Sequence, residues 1–165
     1  MGSSTTSSGN SHAFLWTRGR GMEDLGTLPG DTRSYARDLN DRGDIVGYSR
    51  NDEGVPLAVI WTKERGIEDL GNFGGENIYA FARHINNRGQ VVCIGDLSFE
   101  SFVWSRKCGL QKLQDHVNPK YFASGTGINE RGQIAGTFCI LATGHCRAAL
   151  MTPIREGTST ADDDE

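Results

Sequence analysis

The sequence predicts an all-β protein built from repeated units of about 45 residues, each a set of four short strands. Three observations predict this. A polar turn that ends in glycine and feeds an apolar strand occurs three times, as Asn40-Asp41-Arg42-Gly43, Asn86-Asn87-Arg88-Gly89 and Asn129-Glu130-Arg131-Gly132. Trp16, Trp61 and Trp104 stand 45 and 43 residues apart, and Met151 follows 47 later in the same local context. With 22 glycines and apolar runs of only four or five residues, the chain favours strands and turns over helices.

Taken in order, residues 1–11 are rich in Gly, Ser and Thr and read as a flexible leader, too polar to pack. From residue 12 the same series of segments recurs. An apolar strand comes first, at 12–16, 57–61, 101–104 and 148–151. A basic turn ending in Gly leads to a second strand at 22–28, matched by 67–73 and more loosely by 110–113. After a loop containing Gly, Pro or Asn, a third strand at 34–39, 80–85 and 124–128 runs into the Asn-x-Arg-Gly turn. The fourth strand follows at 44–49, 90–95 and 133–138. The units fall at about 12–56, 57–100 and 101–153 within one domain, and residues 154–165 read as a disordered acidic tail.

Strand faces bear on the architecture. Successive side chains of a strand point to opposite faces, and at 12–16 and 58–61 both faces are apolar, so these strands are expected to be covered on two sides. Four short strands per unit with sheets stacked on both faces is the pattern of a β-propeller blade; a β-trefoil, in which three units close on themselves, is the alternative. Twelve strands lie in three complete units, and 12–16 makes a thirteenth whose own unit is otherwise absent. Because closed propellers typically have four to eight blades, the expectation is three blades plus an extra N-terminal strand. Such an incomplete ring is either a fragment of a longer protein or a protomer that self-associates.

The string His12-Ala13-Phe14-Leu15-Trp16-Thr17, then Asp24-Leu25-Gly26-Thr27-Leu28, then the Ile-Asn-x-x-Gly-Gln-Val-Val pattern at 85–92, resembles the HAF repeat of probable extracellular bacterial proteins. The resemblance covers residues 12–153. The second unit keeps Asp69-Leu70-Gly71 but has Cys93 where a Gly is usual, and the third replaces Asp-Leu-Gly with Lys112-Leu113-Gln114. It implies a propeller-like module and an extracellular location; the chain itself shows no signal segment.

Composition narrows the function. Without the four terminal acids Asp162, Asp163, Asp164 and Glu165, the chain has 17 acids against 17 bases, a neutral body unlike the basic face of a nucleic-acid binder. No stretch approaches the roughly 20 apolar residues that span a bilayer, so no membrane partner is expected. Cys93, Cys108, Cys139 and Cys146 lack the paired spacing of a zinc site and read as free buried thiols; Cys139 and Cys146, which flank the loop 140–145, are the one pair placed to bridge a hairpin.

Candidate contact residues remain. In the Asn-x-Arg-Gly turns, Asn40, Asn86 and Asn129 open a turn by bonding nearby backbone, and Gly43, Gly89 and Gly132 supply a positive φ. Arg42, Arg88 and Arg131 are not dictated by turn geometry and would form a spaced row of cations on one rim, though solvated surface charge, offset by Asp41 and Glu130 beside two of them, is the simpler account. Phe14, Trp16, Trp61, Phe102 and Trp104 recur inside apolar strands and read as core. Tyr35 and Tyr79, near the starts of third strands, are the better candidates for an exposed aromatic contact; Tyr121 aligns only approximately. Glu23-Asp24 and Glu68-Asp69 alternate across a strand, so neither pair shares an ion or substrate, and His84 reads as a half-buried strand residue. No catalytic, cofactor or metal motif occurs. The expected function is a non-enzymatic binding or scaffold module presenting loops to a protein or glycan; the alternative is a closed trefoil carbohydrate-binding domain, or an enzyme with a site assembled from several repeats.

Overall fold

In a computed structural model of the protein, residues 1–71, 79–95 and 100–153 are described. Among them the chain is all-β. The strands are β1 (Gly2–Thr5), β2 (Ser11–Thr17), β3 (Gly21–Asp24), β4 (Arg33–Leu39), β5 (Ile45–Arg50), β6 (Pro56–Thr62) and β7 (Gly66–Asp69), then β8 (Ala80–Ile85), β9 (Val91–Gly95), β10 (Ser101–Ser105), β11 (Gly109–Lys112), β12 (Tyr121–Ile128), β13 (Ile134–Ile140) and β14 (His145–Met151). They form four antiparallel sheets in chain order: β1-β2-β3, β4-β5-β6-β7, β8-β9-β10-β11 and β12-β13-β14. One turn of 3-10 helix, Leu113–His116, links the third sheet to the fourth. Each of the thirteen expected strands overlaps a strand of these sheets, although 25–28 and 70–71 lie past the ends of β3 and β7, and the part of 67–73 beyond residue 71 and the expected tail at 154–165 lie outside the described residues.

Three expectations are corrected. The leader holds β1, which pairs with β2 from Gly2↔Phe14 to Thr5↔Ser11, so β2 is a central strand rather than an orphan. A run of Ser and Thr next to an apolar strand satisfies its backbone by joining that strand's open edge, which polarity alone does not forbid. The sheets are also out of phase with the sequence units: each four-stranded sheet takes the third and fourth strands of one unit and the first and second of the next. Antiparallel strands joined by tight turns pair as neighbours wherever the turn lies, so a repeat phased on its tryptophans does not mark a sheet edge. Finally, β2 is covered on one face only: Ala13 is buried while Trp16 is 58% exposed. Trp61 and Phe102 are core as expected, and Trp104 packs against a core cluster.

The core lies between sheets rather than inside one. Ala13 and Leu15 of the first sheet, with Leu25 just past its end, meet Ile45, Val59 and Trp61 of the second. Val46, Ala58 and Ile60 on the other face of the second sheet meet Val91, Cys93 and Phe102 of the third. Val92 and Val103 on the other face of the third meet Ala123, Ile134 and Phe138 of the fourth. The buried β5, β6 and β9 read as near-continuous apolar runs for this reason: both their faces are covered. The same irregularity recurs in three hairpins, with register shifts between Ala36 and Asp38, Ala82 and His84, and Gly125 and Gly127. Each is a bulge one turn-length before the Asn-x-Arg-Gly loop, where an extra residue sharpens the strand's twist. At Gly47 an added Cβ would sit 2.0 Å from the Tyr35 carbonyl oxygen, so backbone leaves no room for a side chain there.

Candidate functional site

The Asn-x-Arg-Gly turns of the second, third and fourth sheets stack side by side and are joined by their asparagines. Within each turn the Asn Oδ1 accepts two backbone N–H groups: Arg42 and Asp44 on Asn40 (3.1 and 3.0 Å), Arg88 and Gln90 on Asn86 (3.1 and 3.0 Å), Arg131 and Gln133 on Asn129 (2.9 and 3.0 Å). The glycine follows at φ 83°, 73° and 78°, conformations that an L side chain rarely adopts. This is the local account the sequence supports. The side-chain amide adds a second role that spacing alone does not reveal. Asn40 Nδ2 donates to the Asn86 carbonyl at 3.1 Å, and Asn86 Nδ2 donates to the Asn129 carbonyl at 2.9 Å. The residue after each Asn adds further rungs: the Asp41 N–H donates to Asn87 Oδ1 (2.8 Å), and the Asn87 N–H to the Glu130 carboxylate (3.1 Å). Asn40 and Asn86 are buried, and every polar atom of the Asn86 side chain is used.

The ladder brings the turns that carry Arg42, Arg88 and Arg131 side by side. Arg42 is not a free cation: it pairs with Asp44 at 2.6 Å and lies across Gly89 of the next turn. Arg88 and Arg131 are exposed.

Tyr35 and Tyr79 prove not to be equivalent positions. In register, Tyr35 faces Tyr48 in the β4–β5 pair while its counterpart in the β8–β9 pair is Phe81, and Tyr79 precedes β8. Yet the fold places both beside the same pair of rings, Tyr48 and Phe81. Tyr35 stacks on Tyr48 with centroids 4.9 Å apart, and Tyr48 meets Phe81 edge to face at 5.0 Å. Tyr48, Phe81 and Tyr79, with Arg50, Gly54 and Pro56, line a cleft of about 280 Å³ between the second and third sheets. The Arg50 guanidinium stands 5.7 Å from the Tyr35 ring centre and that of Arg37 5.3 Å from Tyr48, within cation–π range. Arg37 is the bulged residue of β4, which is why it leaves the alternation of its strand. Sequence reasoning missed Tyr48, Arg50, Arg37 and Phe81, since only the pairing of β4 with β5 and of the second sheet with the third brings them together. Tyr121 packs on Phe138 in the fourth sheet, 4.6 Å between centroids.

The acids have structural partners. Asp24 and Asp69 accept the N–H of Gly26 and Gly71 (2.8 and 2.9 Å), which explains the recurring Asp-Leu-Gly, and Asp24 also sits 2.9 Å from His12 Nδ1. Glu68 receives both guanidinium nitrogens of Arg106 across the gap from β7 to the β10–β11 turn (2.8 and 3.1 Å). That hydrogen bond, with the charge of Arg106 and Arg65, holds the Glu68 carboxyl below its ordinary range despite some desolvation. His84, read as half-buried, is exposed beside Asp38. Among the described residues no group of three or more His, Cys, Asp or Glu is placed to hold a metal ion.

The cysteines correct the free-thiol reading. Cys139 and Cys146 sit directly opposite in the β13–β14 pair and are joined by a disulfide. Cys93 is free and fully buried, and burial pushes its thiol far up, so it packs as a small apolar group. Cys108 is free and exposed.

No family model, curated protein or solved structure matches the chain.

Proposed function

We propose that the protein is a non-enzymatic β-repeat module, a propeller-like arc, that binds a glycan in the aromatic cleft between its second and third sheets. The architecture is supported by the consecutive strand order of every sheet, the stacking of each sheet on the next, and the bulge repeated in three hairpins. Stacking in chain order favours this reading over a trefoil. An extracellular setting, which the HAF-like segments imply, is supported by the Cys139–Cys146 bridge, because surface disulfides persist in oxidising compartments.

The observation that carries the binding reading is the convergence of Tyr48, Phe81 and Tyr79 on a cleft that Arg50 also lines. Aromatic rings supply flat apolar faces for the C–H surface of a pyranose, and a guanidinium supplies fork-shaped donors for hydroxyls or a sugar carboxylate. The volume lies just below the roughly 300–1,000 Å³ of typical ligand pockets, which suits one or two ring-sized groups. A glycan array probed with the purified chain tests it. The expected result is binding to a subset that includes acidic sugars, lost in Tyr79→Ala and weakened in Arg50→Gln. An array without signal for the wild type, or signal unchanged in both variants, overturns it.

A further inference from the structure

We propose that the first and fourth sheets are the two halves of one interface, through which copies of this chain associate head to tail. Three sheet-to-sheet contacts are already present within the chain. Each contact joins a forward face of one sheet to a backward face of the next, and cross-strand register identifies the same positions every time. The forward face of the second sheet carries the opposed pair Val46 and Ile60, and that of the third carries Val92 and Val103; all four pack in the core. The backward face of the second sheet carries Trp61 opposite Ile67, and that of the third carries Trp104 opposite Leu110; these four pack against core clusters too.

The end sheets present the same two faces. On the fourth sheet the forward pair is Ala135 opposite Leu150, beside Ala148, all exposed, with Leu150 at 60%. On the first sheet the backward pair is Trp16 opposite Met22, at 58% and 59% exposure. A forward face of small and aliphatic residues therefore stands at one end, and a backward face led by a Trp at the other. Each has the chemistry of the surface that covers its counterpart inside the chain. A large exposed apolar patch is rarely tolerated by a monomer, and a second copy supplies the matching partner for both patches. The contact is heterologous: it uses different surfaces on the two copies, so it leads to a ring if the rotation closes and to a filament if it does not. The proposal rests on the propeller-like reading of the arc and is independent of the glycan.

Sedimentation velocity over a concentration series tests it with the wild-type chain, Trp16→Glu and Leu150→Glu; circular dichroism confirms that the variants fold. The wild type is expected to associate with rising concentration and each variant to sediment as a monomer. An equimolar mixture of the two variants is expected to form a one-to-one dimer and nothing larger, because each contributes one intact face. A wild type that stays monomeric overturns the proposal, even if neither variant folds. So does a variant that associates like the wild type, or a mixture that stays monomeric. Solution X-ray scattering from monomeric Trp16→Glu separates the two levels. A profile matching the stacked-sheet arc upholds the architecture whatever happens to assembly, and a profile that does not match removes architecture and assembly together.

Discussion

At the scale of single residues, Asn86 shows how one side chain serves two levels of structure. Its Oδ1 closes its own turn and its amide reaches the carbonyl of Asn129 in the next sheet, and it is only 1% exposed. Asn129 makes the same local bonds but is exposed, so water can replace what it loses. Truncating Asn86, itself buried, removes the acceptor of the Arg88 and Gln90 N–H groups and the donor to the Asn129 carbonyl in part-buried surroundings, and each polar group left unpaired there costs up to about 1–3 kcal/mol. Asn86→Ala is therefore expected to lower stability by about 3 kcal/mol and Asn129→Ala by about 1 kcal/mol in urea denaturation. Equal losses would mean that the inter-sheet bond contributes nothing beyond the turn. The Asn and Gly of each turn were legible in the sequence because turn chemistry is local; the rung to the neighbouring turn was not, because it joins residues 46 and 43 apart.

At the scale of elements, the sheets are tied at their outer edges as well as through their faces. The Arg106–Glu68 pair links β7 of the second sheet to the β10–β11 turn of the third with two parallel hydrogen bonds. The folded-state pKa of Glu68 is depressed, so its contribution to stability is present above the unfolded carboxyl pKa, about 4.3. It is lost as pH falls through the lower folded value. The difference in urea midpoint between wild type and Arg106→Gln is thus expected to be constant near neutrality and to shrink toward zero below about pH 4. A gap that persists or widens in acid would show that Arg106 acts through packing instead. Glu68 and Asp69 alternate across their strand, as their adjacency in the sequence requires, and the two carboxylates go to different partners, one to Arg106 and one to the N–H of Gly71.

At the scale of the whole molecule, cohesion is uneven along the stack. The second and third sheets have both faces covered, and the side chains of Val46, Val59, Val91 and Val92 are wholly buried. In β1 and β14 most residues are exposed. Amide hydrogen exchange followed by NMR is therefore expected to be slowest in β5, β6 and β9 and fastest in β1 and β14, apart from the ends of the Cys139–Cys146 link. Uniform protection over all four sheets would contradict this gradient.

Periodicity and turn chemistry determined the all-β class, the order of thirteen strands and the hairpin turns, because each depends on residues within a few positions of one another. The fold alone decided how those strands group into sheets, that Gly2–Thr5 joins β2, and that Cys139 bonds Cys146. It also decided that Trp16 is exposed where Trp61 is buried, that Tyr35, Tyr48 and Phe81 meet, and that Tyr79 lines a cleft with two of them. The physical reason is common to all of these. Local pattern specifies which side chains share a face, but burial depends on what covers that face, and the cover comes from another sheet tens of residues away.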